Sequence, residues 1–122
     1  MKILIVEDEP ANLKLARIVL LEQGCEVVDL SRVEGAMEII LQTQPDGILL
    51  DLELPGLKGL DLARRLKNDP ETSHIAIVAS TAFPERYPKN AALDAGCDGY
   101  LVKPLNTRRL TQEMEEAVRR KG

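Results

Sequence analysis

Gly47-Ile48-Leu49-Leu50-Asp51-Leu52-Glu53-Leu54-Pro55-Gly56 decides the fold. Its apolar run has strand length and no polar alternation, the pattern of a strand buried on both faces in a parallel sheet. The run delivers one carboxylate, Asp51, to its end and stops at a Pro-Gly turn. Ligands of open α/β sheets gather outside the carboxyl ends of such strands. An isolated Asp after a strand equally suits the start of a turn. The segments on either side decide between the two.

Upstream, Lys2 to Val6 is a second apolar run, broken by Glu7-Asp8-Glu9-Pro10. The proline suits a first helical turn, and a helix is expected from Ala11 to Gln23 with Gly24 as its C-terminal cap. Glu26 to Leu30 reads as a strand. Ser31 or Arg32 opens a helix through about Thr43, which Gln44-Pro45-Asp46 ends. Downstream, Gly59 to Lys67 places Leu60, Ala63 and Leu66 on one helical face. Ile75 to Ala79 is a strand ending at Ser80-Thr81. Pro84 and Pro88 delay the next helix, which spans Pro88 to Ala95 before Gly96. Gly99 to Val102 is a fifth strand, closed by Lys103-Pro104, and Asn106 or Thr107 caps a final helix to about Arg120.

Strands alternating with helices over short connections indicate an α/β fold, a doubly wound five-stranded parallel sheet with five helices. The 122 residues fit one domain, 1–122, able to bury a core without disulfides or a structural metal. Phe83, Tyr87 and Tyr100 are the only aromatics, so the core is aliphatic and no stacking platform for nucleic acid is expected. A net charge of −4 argues against a duplex-binding surface, which needs clustered Lys and Arg. Arg119-Arg120-Lys121 reads as a solvated helix end. Cys25 and Cys97 lack metal-ligand spacing and are expected as buried free thiols in a reducing compartment. Neither a signal peptide nor an apolar run of the roughly 20 residues needed to span a membrane is visible, so a cytoplasmic protein is expected.

Parallel strands bring Glu7, Asp8, Asp51, Thr81 and Lys103 to one carboxyl edge. Carboxylates held together repel unless a cation lies between them, and oxygen donors in a hydrated site suit Mg²⁺. Asp8 and Asp51 are the expected direct ligands, with Glu7 acting through water. Lys103 is the cation at a strand end, suited to neutralise a phosphoryl oxygen or to pair with Asp51 otherwise. Thr81 adds a hydroxyl donor. A carboxylate nucleophile, a divalent cation, a lysine and a hydroxyl together meet the needs of phosphoryl transfer.

On Ile5-Val6-Glu7-Asp8-Glu9, Leu50-Asp51-Leu52-Glu53-Leu54-Pro55 with Gly59, Ser80-Thr81-Ala82, Ala95-Gly96-Cys97-Asp98-Gly99-Tyr100-Leu101 and Lys103-Pro104, nearly the whole chain resembles the receiver domain of two-component response regulators. The resemblance implies a flavodoxin-like strand order 2-1-3-4-5. It implies Asp51 as the phosphorylated aspartate, Glu7 and Asp8 as the acidic metal pair, and the Glu53 backbone carbonyl as a further Mg²⁺ ligand. Thr81 and Lys103 would contact the phosphoryl group, and Tyr100 would be the aromatic switch. Implied partners are a histidine kinase or histidine phosphotransfer protein and a downstream target protein, with no nucleic acid and no membrane. Such a chain catalyses only its own phosphoryl transfer and slow autodephosphorylation. With no output domain following, the signal is expected to pass by protein contact.

Leu54 and Leu105 depart conservatively from the family pattern. Phe83-Pro84-Glu85-Arg86-Tyr87-Pro88 departs more, placing two prolines and two aromatics after Thr81, either to meet a partner or to cover the sheet edge. One alternative is a receiver domain excised from a hybrid histidine kinase or larger regulator. Another is an aspartate-nucleophile phosphatase of the haloacid dehalogenase type, whose Asp-x-Asp motif Asp51-Leu52-Glu53 resembles only distantly. A nucleotide or flavin binder is disfavoured because Glu7-Asp8-Glu9 occupies the place of a glycine-rich phosphate loop.

Overall fold

Asp51 ends the third of five parallel strands in the structure, a computed structural model that describes residues 1–54 and 59–121. In chain order the described elements are β1 (Lys2–Val6), α1 (Pro10–Glu22), β2 (Glu26–Leu30), α2 (Ala36–Thr43), β3 (Gly47–Asp51), α3 (Gly59–Asn68), β4 (Ala76–Thr81), α4 (Lys89–Asp94), β5 (Gly99–Val102) and α5 (Leu110–Lys121). The sheet runs β2-β1-β3-β4-β5, with all pairs parallel. That is the strand order the resemblance implies.

Strand periodicity divides the core into two layers, because successive side chains point to opposite faces. Leu4, Val6, Ile48, Leu50, Ile77 and Ala79 meet α2, α3 and α4 through Ala36, Ile40, Leu62, Leu66 and Ala92. Ile3, Ile5, Leu49 and Val78 meet α1 and α5 through Ala16, Leu20, Leu110, Met114 and Ala117. Every residue of β3 and β4 is buried, each large aliphatic side chain contributing about 1.5–3 kcal/mol on removal from water. β1 leads into α1 on one face and β3 into α3 on the other, so a crevice opens between their carboxyl ends. No described helix is long and apolar enough to cross a membrane.

Element boundaries differ where backbone geometry overrides the side-chain pattern. The helix expected from Ser31 or Arg32 begins instead at Ala36, because Gly35 has φ +80° and cannot belong to a right-handed helix. α5 begins at Leu110 and not directly after Asn106. Asn106 does cap, accepting from the Arg108 N–H at 3.0 Å, but the backbone closes a separate turn before the helix proper. Glu9, unforeseen as a cap, accepts from the Asn12 N–H at 2.8 Å and fixes the start of α1 behind Pro10. The Pro55-Gly56 turn expected after β3 lies outside the described residues.

The basic end of α5 is not simply solvated. Arg120 donates to the Asp98 carbonyl at 2.9 Å and Lys121 pairs with its carboxylate at 3.2 Å. Asp98 also accepts from the Ile77 N–H at 2.9 Å, so the start of β5 is tied to both β4 and α5. Cys25 and Cys97 are buried free thiols, and burial, with a smaller push from Asp98, raises the Cys97 thiol to about 12.

Gly59 starts α3 directly under the end of β3. A Cβ there would lie 2.8 Å from the Asp51 carbonyl oxygen and 3.2 Å from Leu52 Cα, both backbone atoms unable to step aside cheaply. Gly59→Ala is therefore expected to cost about 1–3 kcal/mol. Urea unfolding should show a lowered midpoint with unchanged slope; a midpoint equal to the parent's contradicts this packing.

Candidate functional site: an acidic cleft bridged by Lys103

Strand polarity alone brings the ends of β1, β3, β4 and β5 to one edge of the sheet. The loop after β1 supplies Glu7 and Asp8, β3 supplies Asp51, β4 supplies Thr81, and the residue after β5 is Lys103. One carboxylate oxygen from each of Glu7, Asp8 and Asp51 lies within 4.8 Å of the others, a spacing that could hold a metal ion. Glu7 and Asp51 are buried while Asp8 is exposed, so the trio is walled on the protein side and open to water at Asp8.

Lys103 neutralises the buried acids. Its Nζ donates to Glu7 Oε1 at 2.8 Å and lies 3.2 Å from Asp51 Oδ1. The pairing expected with Asp51 is thus shared, with Glu7 the nearer partner. Burial works against the ammonium, but the hydrogen bond to Glu7 and the charge of Asp51 more than offset it, so Lys103 titrates above an ordinary lysine. Asp51 is also pushed up, by burial first and by Glu7 next; the Glu53 N–H, donating to Oδ1 at 3.0 Å, and the Lys103 charge oppose the rise without cancelling it.

Thr81 is fully buried, and its Oγ1 accepts from the Phe83 N–H at 2.9 Å, leaving the hydroxyl hydrogen free to donate elsewhere. The Thr81 carbonyl accepts from the Lys103 N–H at 2.8 Å, extending the β4–β5 pairing to the lysine. Lys103-Pro104 is a cis peptide. Tyr100, on β5, is half-buried, and its hydroxyl donates to the Tyr87 carbonyl. The two aromatics after Thr81 differ in placement. Tyr87 packs against the core margin, whereas Phe83 is 47% exposed with the Arg86 guanidinium 5.5 Å from its ring centre.

The Glu53 side chain is the participant that the sequence pattern misses. Expected to act through its carbonyl, Glu53 also reaches across the cleft, its Oε1 accepting from the Ala82 N–H at 3.0 Å. Partners 29 positions apart in loops of different strands share no local signature.

Comparisons with known proteins bear on the family and the fold. The family model described as the response regulator receiver domain matches residues 3–115. The phosphate regulon transcriptional regulatory protein PhoB of Pseudomonas aeruginosa is 38% identical over 120 residues, which cover 98% of this chain and 52% of that protein. The chain therefore spans about half the length of PhoB. The polar-differentiation response regulator DivK of Brucella anthropi is 32% identical over 113 residues, 93% of this chain and 92% of DivK. A crystal structure of a response regulator from Chloroflexus aurantiacus superposes with a TM-score of 0.91 at 30% identity, covering 97% of each chain. The receiver domain of the Pseudomonas aeruginosa sensor histidine kinase PA1611, solved with a magnesium ion coordinated in its active-site cleft, gives a TM-score of 0.86 at 27% identity over 96% of each chain.

Proposed function

Since the chain belongs to the response regulator receiver domain family of two-component systems, we propose that it is a phosphorylation-controlled switch whose acceptor is Asp51. The observation that carries this reading is the lysine bridge. Buried acids from the ends of β1 and β3 share one ammonium from the end of β5, at 2.8 and 3.2 Å, beside an exposed third acid. That arrangement offers a nucleophilic oxygen and a fixed positive charge at the same point.

An all-oxygen donor set open to water at Asp8 fits Mg²⁺. Glu7, Asp8 and Asp51 would hold the ion with the Glu53 carbonyl, and when bound it would neutralise charge on the incoming phosphoryl group. The donor is a phosphohistidine on a histidine kinase or phosphotransfer protein. An Asp51 carboxylate oxygen forms the bond to phosphorus as the phosphorus–nitrogen bond breaks, and the electron pair returns to the imidazole. Lys103 then turns from the carboxylates to the new phosphoryl oxygens, and the free Thr81 hydrogen donates to another. As Thr81 leaves Phe83, the segment from Ala82 to Pro88 shifts, and Tyr100 exchanges its Tyr87 partner for a more buried position. A downstream protein reads that change.

Incubation with acetyl phosphate and Mg²⁺ should add the mass of one phosphoryl group, and chelation with EDTA should prevent it. A parent protein that gains no mass from acetyl phosphate or a phosphohistidine donor ends this reading. The similarity to DivK along nearly its full length supports a receiver that works alone, over residues 1–122. The match to half of PhoB supports a second reading, in which the same switch drives an attached output domain. Start and stop codons bounding the reading frame separate the two.

A further inference from the structure

We infer that the Glu53 carboxylate is a latch that holds the loop after β4 in the unphosphorylated position and is driven off by charge when Asp51 carries a phosphoryl group. The inference rests on the acceptor reading above and assigns Glu53 a role in regulating that site.

Glu53 engages both sides of the cleft at once. Its N–H donates to Asp51 Oδ1 at 3.0 Å, fixing the acceptor, while its carboxylate accepts from the Ala82 N–H at 3.0 Å, fixing the opposite loop. A hydrogen bond to an ionised acceptor is among the stronger kinds. Ala82 directly follows Thr81, and the next residue, Phe83, donates to Thr81 Oγ1. Farther along the same loop, Tyr87 accepts from the Tyr100 hydroxyl. Holding Ala82 therefore holds the start of a segment that contains the partners of both Thr81 and Tyr100.

The latch is electrostatically poised. Glu53 Oε2 is buried without a hydrogen-bond partner among the described residues, so the carboxylate is bound through one oxygen only. Glu7, Asp8 and Asp51 already crowd the cleft with negative charge. An aspartyl phosphate replaces the single charge of the Asp51 carboxylate with close to two negative charges and puts three acceptor oxygens beside the Glu53 backbone. Glu53 is the acid in this set whose side chain is not part of the metal-holding trio, so repulsion falls on a side chain that can leave. Its departure frees the Ala82 N–H and, with it, the loop. A charged latch raises the population of the off state in proportion to its preference for the unphosphorylated loop.

Amide hydrogen exchange on unphosphorylated Glu53→Ala and Glu53→Gln tests the latch without any donor. In Glu53→Ala the Ala82 amide should exchange at least tenfold faster than in the parent. Glu53→Gln, whose amide oxygen still accepts, should keep most of the protection. Titration with beryllium fluoride and Mg²⁺, which mimics the phosphoryl group, should show both variants binding several-fold tighter than the parent, since both lose the repelling charge. Unchanged Ala82 exchange in Glu53→Ala, or unchanged beryllium fluoride affinity in both variants, overturns the latch while a labelled parent keeps Asp51 as acceptor. A parent that neither labels nor binds beryllium fluoride overturns the acceptor reading itself, and the coupling to Glu53 with it.

Discussion

Asp51→Asn is expected to take up no phosphoryl group from acetyl phosphate or a phosphohistidine donor, a loss of more than about a hundredfold in labelling rate, as follows removal of a nucleophile. Residual labelling at the parental rate would place the acceptor elsewhere. The same variant has a second, independent signature. Burial and the nearby Glu7 raise the Asp51 pKa above its unfolded value, so the folded state holds its proton more tightly than the unfolded chain. Between the two pKa values the folded state binds more protons, and stability falls as pH rises. The contribution is fully present below the unfolded carboxylate pKa of about 3.9 and is lost as pH rises through the folded value. Asp51→Asn cannot ionise. Its urea midpoint at neutral pH should exceed the parent's, and the difference should shrink as pH falls toward 4. A variant less stable than the parent at neutral pH would contradict the repulsion between the two buried acids.

Lys103→Met should have the next largest effect, because the long apolar side chain keeps most of the packing and removes only the charge. Lys103 is largely buried, with 11% of its side chain exposed, and it is the cation shared by Glu7 and Asp51. Leaving two buried carboxylates without it is expected to cost about 3 kcal/mol. The variant's stability should decline more steeply with rising pH than the parent's, since the Lys103 charge that opposes the upward push on the Asp51 carboxyl is gone. Mg²⁺ at about a hundred times its Kd should return up to about 2.7 kcal/mol by mass action. Phosphoryl-dependent change at Tyr100 fluorescence should be lost even where labelling persists, because Lys103 no longer draws the phosphoryl oxygens toward β5. A variant with parental stability and parental fluorescence response would show that the two short contacts at Lys103 are incidental.

The two expected results depend on different kinds of information. Asp51 was legible because β3 is buried along its length, and a strand buried on both faces is written as an unbroken apolar run. Glu7, Asp8, Thr81 and Lys103 were legible for a related reason: each closes a short β-rich run, and parallel strands deliver such residues to the same edge. Helix starts were less legible. Ser31 and Arg32 have the chemistry of a cap, yet the left-handed Gly35 displaces α2 to Ala36. Arg119-Arg120-Lys121 has the composition of a solvated helix end, yet Asp98, more than 20 residues away, takes two of its cations.

By itself the sequence determined the alternation of strands and helices and the set of chemical groups at their ends, because hydrophobic period and turn residues are local properties. Only the tertiary structure decided how those groups pair. Lys103 lies nearer Glu7 than Asp51, although 96 positions separate it from Glu7 and β3 and β4 stand between their strands, because the long lysine and glutamate side chains meet across the carboxyl edge of the sheet. Glu53 reaches Ala82 because β3 and β4 are neighbours in register, Asp51 opposite Ser80. Pair geometry of that kind is set by which strands adjoin and by how far a side chain extends across the gap, and neither quantity is written in the residues on either side of it.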